Sequence, residues 1–203
     1  MKSPYCFVIS PKGKRYNNTS SVEDKELILN TEVYNHEYVN RKASVISTPI
    51  VGSTNISPQD EVIVHHNIFR RWHNIRGEEK NSKSFFDENT YIVGEDQIFL
   101  YRKINNSLRY KVGPWQSMPG FCWVSPIENK DMTTDKEQKL KGIIKYTDGS
   151  FNIGDLVGFM PSSEYEFVVD GERLYRVYSK FITIKYEHKG NEKTYNPSWA
   201  QSS

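Results

Sequence analysis

Apolar residues recur at every second position along much of this chain, and helical spacing is absent. "YEFVV" at 165–169 and "FITIKY" at 181–186 alternate apolar with polar side chains, the signature of a strand with one buried face. The same pattern predicts strands at 5–10, 42–48, 60–66, 90–94 and 97–103 in the first half. In the second half it predicts 121–125, 139–146, 155–160, 164–169, 173–178 and 181–187. "VDGER" at 169–173 sets Asp-Gly between two such runs, which predicts a tight hairpin, because a primed turn needs positive φ and glycine supplies it. No amphipathic helix is predicted. Short strands with frequent turns predict an all-β fold of small closed barrels.

The chain also repeats itself. "YCFVISP" at 5–11 resembles "FCWVSP" at 121–126, "SPQDEVIV" at 57–64 resembles "NIGDLVGF" at 152–159, and "TYIVGEDQIFLY" at 90–101 resembles "LYRVYSKFITIKY" at 174–186. With Cys6 placed on Cys122, the three phrases keep their order while their separation shrinks, so the first copy carries the longer insertions. Two tandem domains follow: 1–105, a linker at 106–119 with two prolines and a glycine, 120–188, and a polar tail at 189–203 expected to be mobile.

Composition narrows the function. Apolar residues make up 36 % of the chain and aromatics 13 %, and no apolar run approaches membrane-crossing length. The start "MKSPYCF" lacks a secretory apolar region, so a cytoplasmic protein is expected. The net charge is +2, from 27 basic and 25 acidic residues, too even for a protein that coats DNA. Cys6 and Cys122 are expected to be reduced, buried and equivalent.

No nucleophile, phosphate-loop or metalloprotease motif is present, so no enzyme and no cofactor are expected. His65, His66 and His73 prompt the question of a metal. Adjacent histidines on a strand face opposite ways, and no cysteine or close carboxylate completes a set, so none is expected. Phe69, Arg70, Arg71 and Trp72 interleave charge with rings, as single-stranded nucleic-acid binders do. Glu78, Glu79, Asp87 and Glu88 offset that charge, and the expected form of 66–89 is a long exposed loop whose arginines pair locally or at a subunit interface.

The stretch "FNIGDLVGFMPSSEYEFVVDGERLYRVYSKFITIKYE" is similar to the C-terminal half of GroES-like co-chaperonins. Gly154, Asp155, Val157 and Phe159 match the family's Gly-Asp turn and strand. Asp170, Gly171, Tyr175, Val177 and Ile182 match its hairpin and closing strand. The first half resembles the same family through "CFVISP", "RKASVISTP", "DEVIVHH" and "TYIVGEDQIFLY", with Gln59 where the second copy has Gly154. The resemblance implies two tandem GroES-like barrels in a cytoplasmic homo-oligomeric ring that caps a chaperonin cavity. "IVGSTNI" and "TDGSF" leave no room for a roof hairpin, as in some bacteriophage members, which implies a phage protein serving capsid-protein folding.

In that family the working part is a long loop after the first strand, flexible when free and folded as a hairpin on the chaperonin. Here it corresponds to residues 12–41, with Asn17 to Glu26 supplying flexibility and Leu27, Ile28 and Leu29 as the chaperonin contact. The bland alternative is a core strand "ELILNTEV". The second copy's loop at 127–139 has no aliphatic triplet. Two other functions stay open: a single-stranded nucleic-acid-binding module using Phe69, Arg70, Arg71 and Trp72, and a structural or assembly protein that reuses the fold.

Overall fold

The computed structural model describes residues 2–15, 19–22, 25–28, 40–105, 111–129, 136–187 and 190–201. It is all-β, with antiparallel sheets and one short helix. The chain divides into two units, Met1–Trp115 and Gln116–Ser203.

Unit 1 contains β1 (Phe7–Pro11), β2 (Thr19–Val22), β3 (Lys25–Ile28), β4 (Lys42–Ser47), β5 (Glu61–Val64), β6 (Arg71–His73), β7 (Glu79–Asn81), β8 (Phe85–Asp87), β9 (Thr90–Val93), β10 (Ile98–Arg102), β11 (Ile104–Asn105) and β12 (Lys111–Val112). Its main sheet runs β10-β5-β4-β1-β9-β8, and β2-β3, β6-β7 and β11-β12 are separate two-stranded ribbons. Unit 2 contains β13 (Gln116–Ser117), β14 (Phe121–Glu128), β15 (Glu137–Tyr146), β16 (Leu156–Phe159), β17 (Glu164–Val169), β18 (Glu172–Tyr178), β19 (Ile182–Tyr186) and α1 (Ser198–Gln201). Its sheet runs β19-β16-β15-β14-β18-β17. The expected closed barrels are not seen, since in neither unit do the two ends of the row pair.

The two rows have the same order and the same register. Phe7 faces Val93 and Ile9 faces Tyr91, as Cys122 faces Val177 and Val124 faces Tyr175. Ala43 faces Val62 as Gly142 faces Val157. Even the irregularities coincide: the register slips between Val8 and Ile9, and between Trp123 and Val124. Val64 faces Ile98 and Ile63 faces Leu100, skipping one residue, as Phe159 faces Ile182 and Gly158 faces Ile184. A short 3-10 turn joins the last two strands of each row, at Glu95–Gln97 and Ser179–Phe181. Bulges re-aim side chains and are positional features of a fold, so their recurrence marks one architecture written twice.

The cores correspond as well. Unit 2 buries Cys122, Val124, Ile144, Val157, Phe159, Val177 and Ile182 together. The residues at the same register in unit 1 are Phe7, Ile9, Val45, Val62, Val64, Val93 and Ile98, all buried. This shifts the cysteine pairing by one residue. Phe7, not Cys6, takes the place of Cys122. Cys6 lies before β1 and is half-buried, whereas Cys122 is enclosed, with Ser179 Oγ at 3.5 Å and Thr147 Oγ1 at 3.6 Å. The two phrases align from their shared Ser-Pro backwards. Burial pushes the Cys122 thiol above its ordinary pKa, its hydrogen bonds with Ser179 and Thr147 opposing it.

The turn before the third strand of each row carries the resemblance's Gly-Asp. Gly154 has φ 92° and Gln59, at the same place, has φ 75°. The left-handed conformation is therefore kept where glycine is not. Ser57 N–H donates to Asp60 Oδ2 at 2.7 Å and Asn152 N–H donates to Asp155 Oδ2 at 3.0 Å. Gln59 and Gly154 N–H donate across the sheet to Val45 O and Ile144 O. The Asp-Gly hairpin is also as expected, with Val169 facing Glu172 and positive φ at both Asp170 and Gly171, as a type I′ turn requires.

Two segments are more ordered than composition implied. The linker returns on unit 1, where Gly113 N–H donates to Lys103 O and buried Trp115 lies 4.3 Å beneath the Arg102 guanidinium. The tail is fastened to unit 2. Thr194 bridges Ile127, Asn196 Nδ2 donates to Gly171 O and its Oδ1 accepts from Arg173 N–H, and Ala200 is fully buried. The short α1 is the one α-helix among the described residues.

Gly154→Ala should lower stability by about 1–2 kcal/mol, because a Cβ there has space but the wrong φ. Gln59→Gly should raise it by less, since glycine's extra freedom when unfolded offsets part of the relief; urea unfolding of both variants measures the pair. A thiol reagent should modify Cys6 quickly in the native chain and Cys122 only on unfolding; equal rates would contradict the one-residue shift.

Candidate functional site

Function is sought where two copies of one fold differ. Unit 1 departs most from unit 2 in two connections: between β1 and β4 at residues 12–41, and between β5 and β8 at residues 65–84. In unit 2 the corresponding connections are residues 129–136 and 160–163. Each insertion of unit 1 contains a two-stranded ribbon outside the main sheet.

The first insertion holds the expected aliphatic triplet. Leu27 and Ile28 lie in β3, where Leu27 faces Ser20 and Ile28 faces Thr19 of β2. Leu29 lies outside the described residues. Thr19–Val22 and Lys25–Ile28 pair with each other, so β3 is not a strand of the main sheet, as a core strand would be, but half of a ribbon of its own.

The root of this insertion is closely tied. Asn40 N–H donates to Arg15 O, and Asn40 Nδ2 donates to both Lys12 O and Lys14 O at 2.9 Å. Asn40 Oδ1 accepts from Lys42 N–H at 2.9 Å, and Asn40 itself is buried. One amide thus satisfies three backbone groups that would otherwise lose water without replacement. Lys12 also pairs with Glu61, a carboxylate only 4 % exposed, which Arg102 contacts from the other side at 2.5 Å. Unit 2 has Leu156 in that register.

The second insertion is a ribbon, not the long loop expected for 66–89. Arg71 faces Asn81, Trp72 faces Lys80 and His73 faces Glu79. Asn74 locks its tip. Asn74 Oδ1 accepts from Arg76 N–H at 2.9 Å and from Glu78 N–H at 3.0 Å, while Nδ2 donates to Glu78 Oε2 at 2.8 Å. The Asn74 Nδ2 bond and then Lys80 hold the Glu78 carboxyl below its usual range. Arg71 pairs with Glu79 at 3.7 Å and Lys80 with Glu78 at 3.1 Å, the local pairing expected for this segment. Ile75 stands at the tip, 104 % exposed.

The nucleic-acid reading fares less well. Phe69 is fully buried, its ring 4.7 Å from Tyr91 and edge-on to it, so it cannot stack on a base. Arg70, Arg71 and Trp72 are half-buried. The histidines also differ from expectation. His65 and His66 follow the end of β5 and stack in that turn with ring centres 4.2 Å apart, while His73 lies in β6. His65 Nδ1 accepts from Asn67 N–H. No cluster of three potential metal ligands occurs among the described residues.

One side chain joins the two insertions. Arg15, at the start of the first, donates from Nε to Phe69 O at 3.1 Å and from Nη2 to Arg70 O at 3.4 Å and to Asn81 Oδ1 at 2.8 Å. Its guanidinium lies 5.8 Å from the ring centres of both Phe85 and Tyr91. Ser82 Oγ closes the same root onto Ile68 O at 2.6 Å. The sequence signalled neither Arg15 nor Asn40: each is a single polar residue whose partners lie far along the chain. Comparison with models of known families and with curated proteins finds no match. Among the described residues no helix is long and apolar enough to cross a membrane.

Arg15→Ala should leave the carbonyls of Phe69 and Arg70 without their donor and cost about 1–3 kcal/mol. Hydrogen exchange should accelerate across residues 69–82 more than across β14–β19; uniform acceleration, or none, would remove Arg15 from this role.

Proposed function

We propose that this chain is a co-chaperonin of the GroES-like kind, two tandem copies of one small β fold that cap a chaperonin cavity without catalysis. The carrying observation is that unit 1 repeats the topology of unit 2 and adds an aliphatic ribbon, β2–β3, after its first strand. That is where the resemblance sets the chaperonin contact. The repeated turn at Asp60 and Asp155, the Asp-Gly hairpin and the closing strand support the same reading. Unit 2 has only residues 129–136 at that place, without an aliphatic triplet, and serves as spacer or assembly surface.

The mechanism is mechanical. Leu27, Ile28 and Leu29 enter an apolar groove of the chaperonin, each contributing roughly 1.5–3 kcal/mol on full burial, less the cost of ordering the loop. One ribbon binds weakly. A homo-oligomeric ring presenting several binds tightly through effective concentration. A client then folds in the closed space, a capsid protein if the chain is phage-encoded. Burial of Phe69 disfavours the nucleic-acid alternative.

Replacing Leu27, Ile28 and Leu29 together by Ser should weaken binding to purified chaperonin with nucleotide by at least about a hundredfold. Circular dichroism should remain unchanged. Undiminished binding would take the ribbon out of the mechanism.

A further inference from the structure

We propose that Lys12, Glu61 and Arg102 form a latch that ties the root of the insertion at residues 12–41 to the last residues of unit 1, so that loosening one loosens the other. The latch lies wholly within unit 1 and is independent of the co-chaperonin reading.

The second copy singles these residues out. Lys12 follows Pro11, which faces Ala43, and Ile127 follows Pro126, which faces Gly142, so Lys12 stands where unit 2 has Ile127. Glu61 faces Arg102 in unit 1, as Leu156 faces Tyr186 in unit 2. Ile127 and Leu156 are buried. The same frame is therefore built once in this chain with three uncharged side chains at these places. Unit 1 has charges at all three, and they meet. Lys12 contacts Glu61 Oε1, and Arg102 reaches Oε2 with Nε and Nη2, both at 2.5 Å. The Glu61 side chain is only 5 % exposed. A buried set of charges loses most of its attraction to desolvation, and an apolar set of similar shape is often as stable or more so. Stability alone does not explain the charges, whereas their connections do.

Lys12 begins the insertion, and both ends of the insertion close on it. Its N–H donates to Lys42 O and its carbonyl accepts from Asn40 Nδ2, each at 2.9 Å. Arg102 ends β10, and its guanidinium lies 4.3 Å from the ring centre of Trp115, the last residue of unit 1 and itself buried. The neighbouring Lys103 O accepts from Gly113 N–H at 2.8 Å, which returns residues 111–115 to the end of β10. Glu61 stands between the two sides with one carboxylate oxygen for each. When Lys12 withdraws, the carboxylate keeps its charge and loses half its compensation. Arg102 must then shift toward it, or water must enter, and either change disturbs the seat of Trp115.

The test is a double-mutant cycle on the full chain, read by amide hydrogen exchange in NMR. Gly113 N–H reports on the last residues of unit 1. Ile92 N–H, which donates to Ser84 O at 2.8 Å, reports on the rest of that unit. Asn40→Ala opens the insertion root. It should accelerate exchange at Gly113 about tenfold and leave Ile92 nearly unchanged. Lys12→Met, at a half-exposed position that leaves the fold intact, should accelerate Gly113 by itself, and adding Asn40→Ala to it should change Gly113 no further. Lys12→Arg keeps the charge and should respond to Asn40→Ala as wild type does. The latch is wrong if Lys12→Met leaves Gly113 unchanged, if Asn40→Ala acts equally with and without Lys12, or if Ile92 accelerates as much as Gly113. Should Asn40→Ala fail to fold, Lys12→Met against Lys12→Arg decides alone, since equal rates at Gly113 would overturn the proposal.

Discussion

A carboxylate at one turn, buried in unit 1 and half-buried in unit 2, sets the path of each unit. Asp60 accepts Ser57 N–H and Lys103 Nζ, both at 2.7 Å, and is 3 % exposed. Asp155 accepts Asn152 N–H at 3.0 Å and Lys185 Nζ at 2.7 Å, and the lysine's hydrogen bond holds its carboxyl below the ordinary range. The residue before each aspartate has positive φ. That reversal sends the next strand between two neighbours, β5 between β4 and β10, and β16 between β15 and β19. Both strands are buried along their whole length, so a turn of another shape would strand apolar residues in water.

With the frame fixed twice over, the differences between the copies become informative. The first copy opens its frame in two connections and fills each with a ribbon. Its fold tolerates this because Asn40 and Arg15 satisfy the backbone groups that the insertions leave behind. The second copy spans the same connections with residues 129–136 and 160–163 and fastens the chain's own tail through Asn196. Insertions and frame are thus separable: the β6–β7 ribbon carries exposed Ile75 and the frame carries the core.

The main strands were legible because each alternates apolar residues over several positions, and the Asp-Gly turn because its chemistry is local. The copy register was misread by one residue. The eye is drawn to cysteine, whereas the constraint is the bulge before the shared Ser-Pro, and bulges leave no mark on a pattern. The ribbons β2–β3 and β6–β7 leave little mark on the pattern because their strands are short and largely polar; β6–β7 is held by pairing and by the Asn74 bonds at its tip. Phe69 was hidden in a basic run, and only the tertiary contact with Tyr91 shows that it belongs to the core. The tail read as mobile because its composition is polar, yet Asn196 and buried Ala200 fix it without a large apolar surface.

The reading of this chain as a capping ring is tested most directly by native mass. Native mass spectrometry of the purified protein, alone and mixed with chaperonin and nucleotide, should give a closed homo-oligomer and then an assembly whose mass is the sum of the two rings. A monomer at all concentrations that never shifts the chaperonin's mass would contradict it.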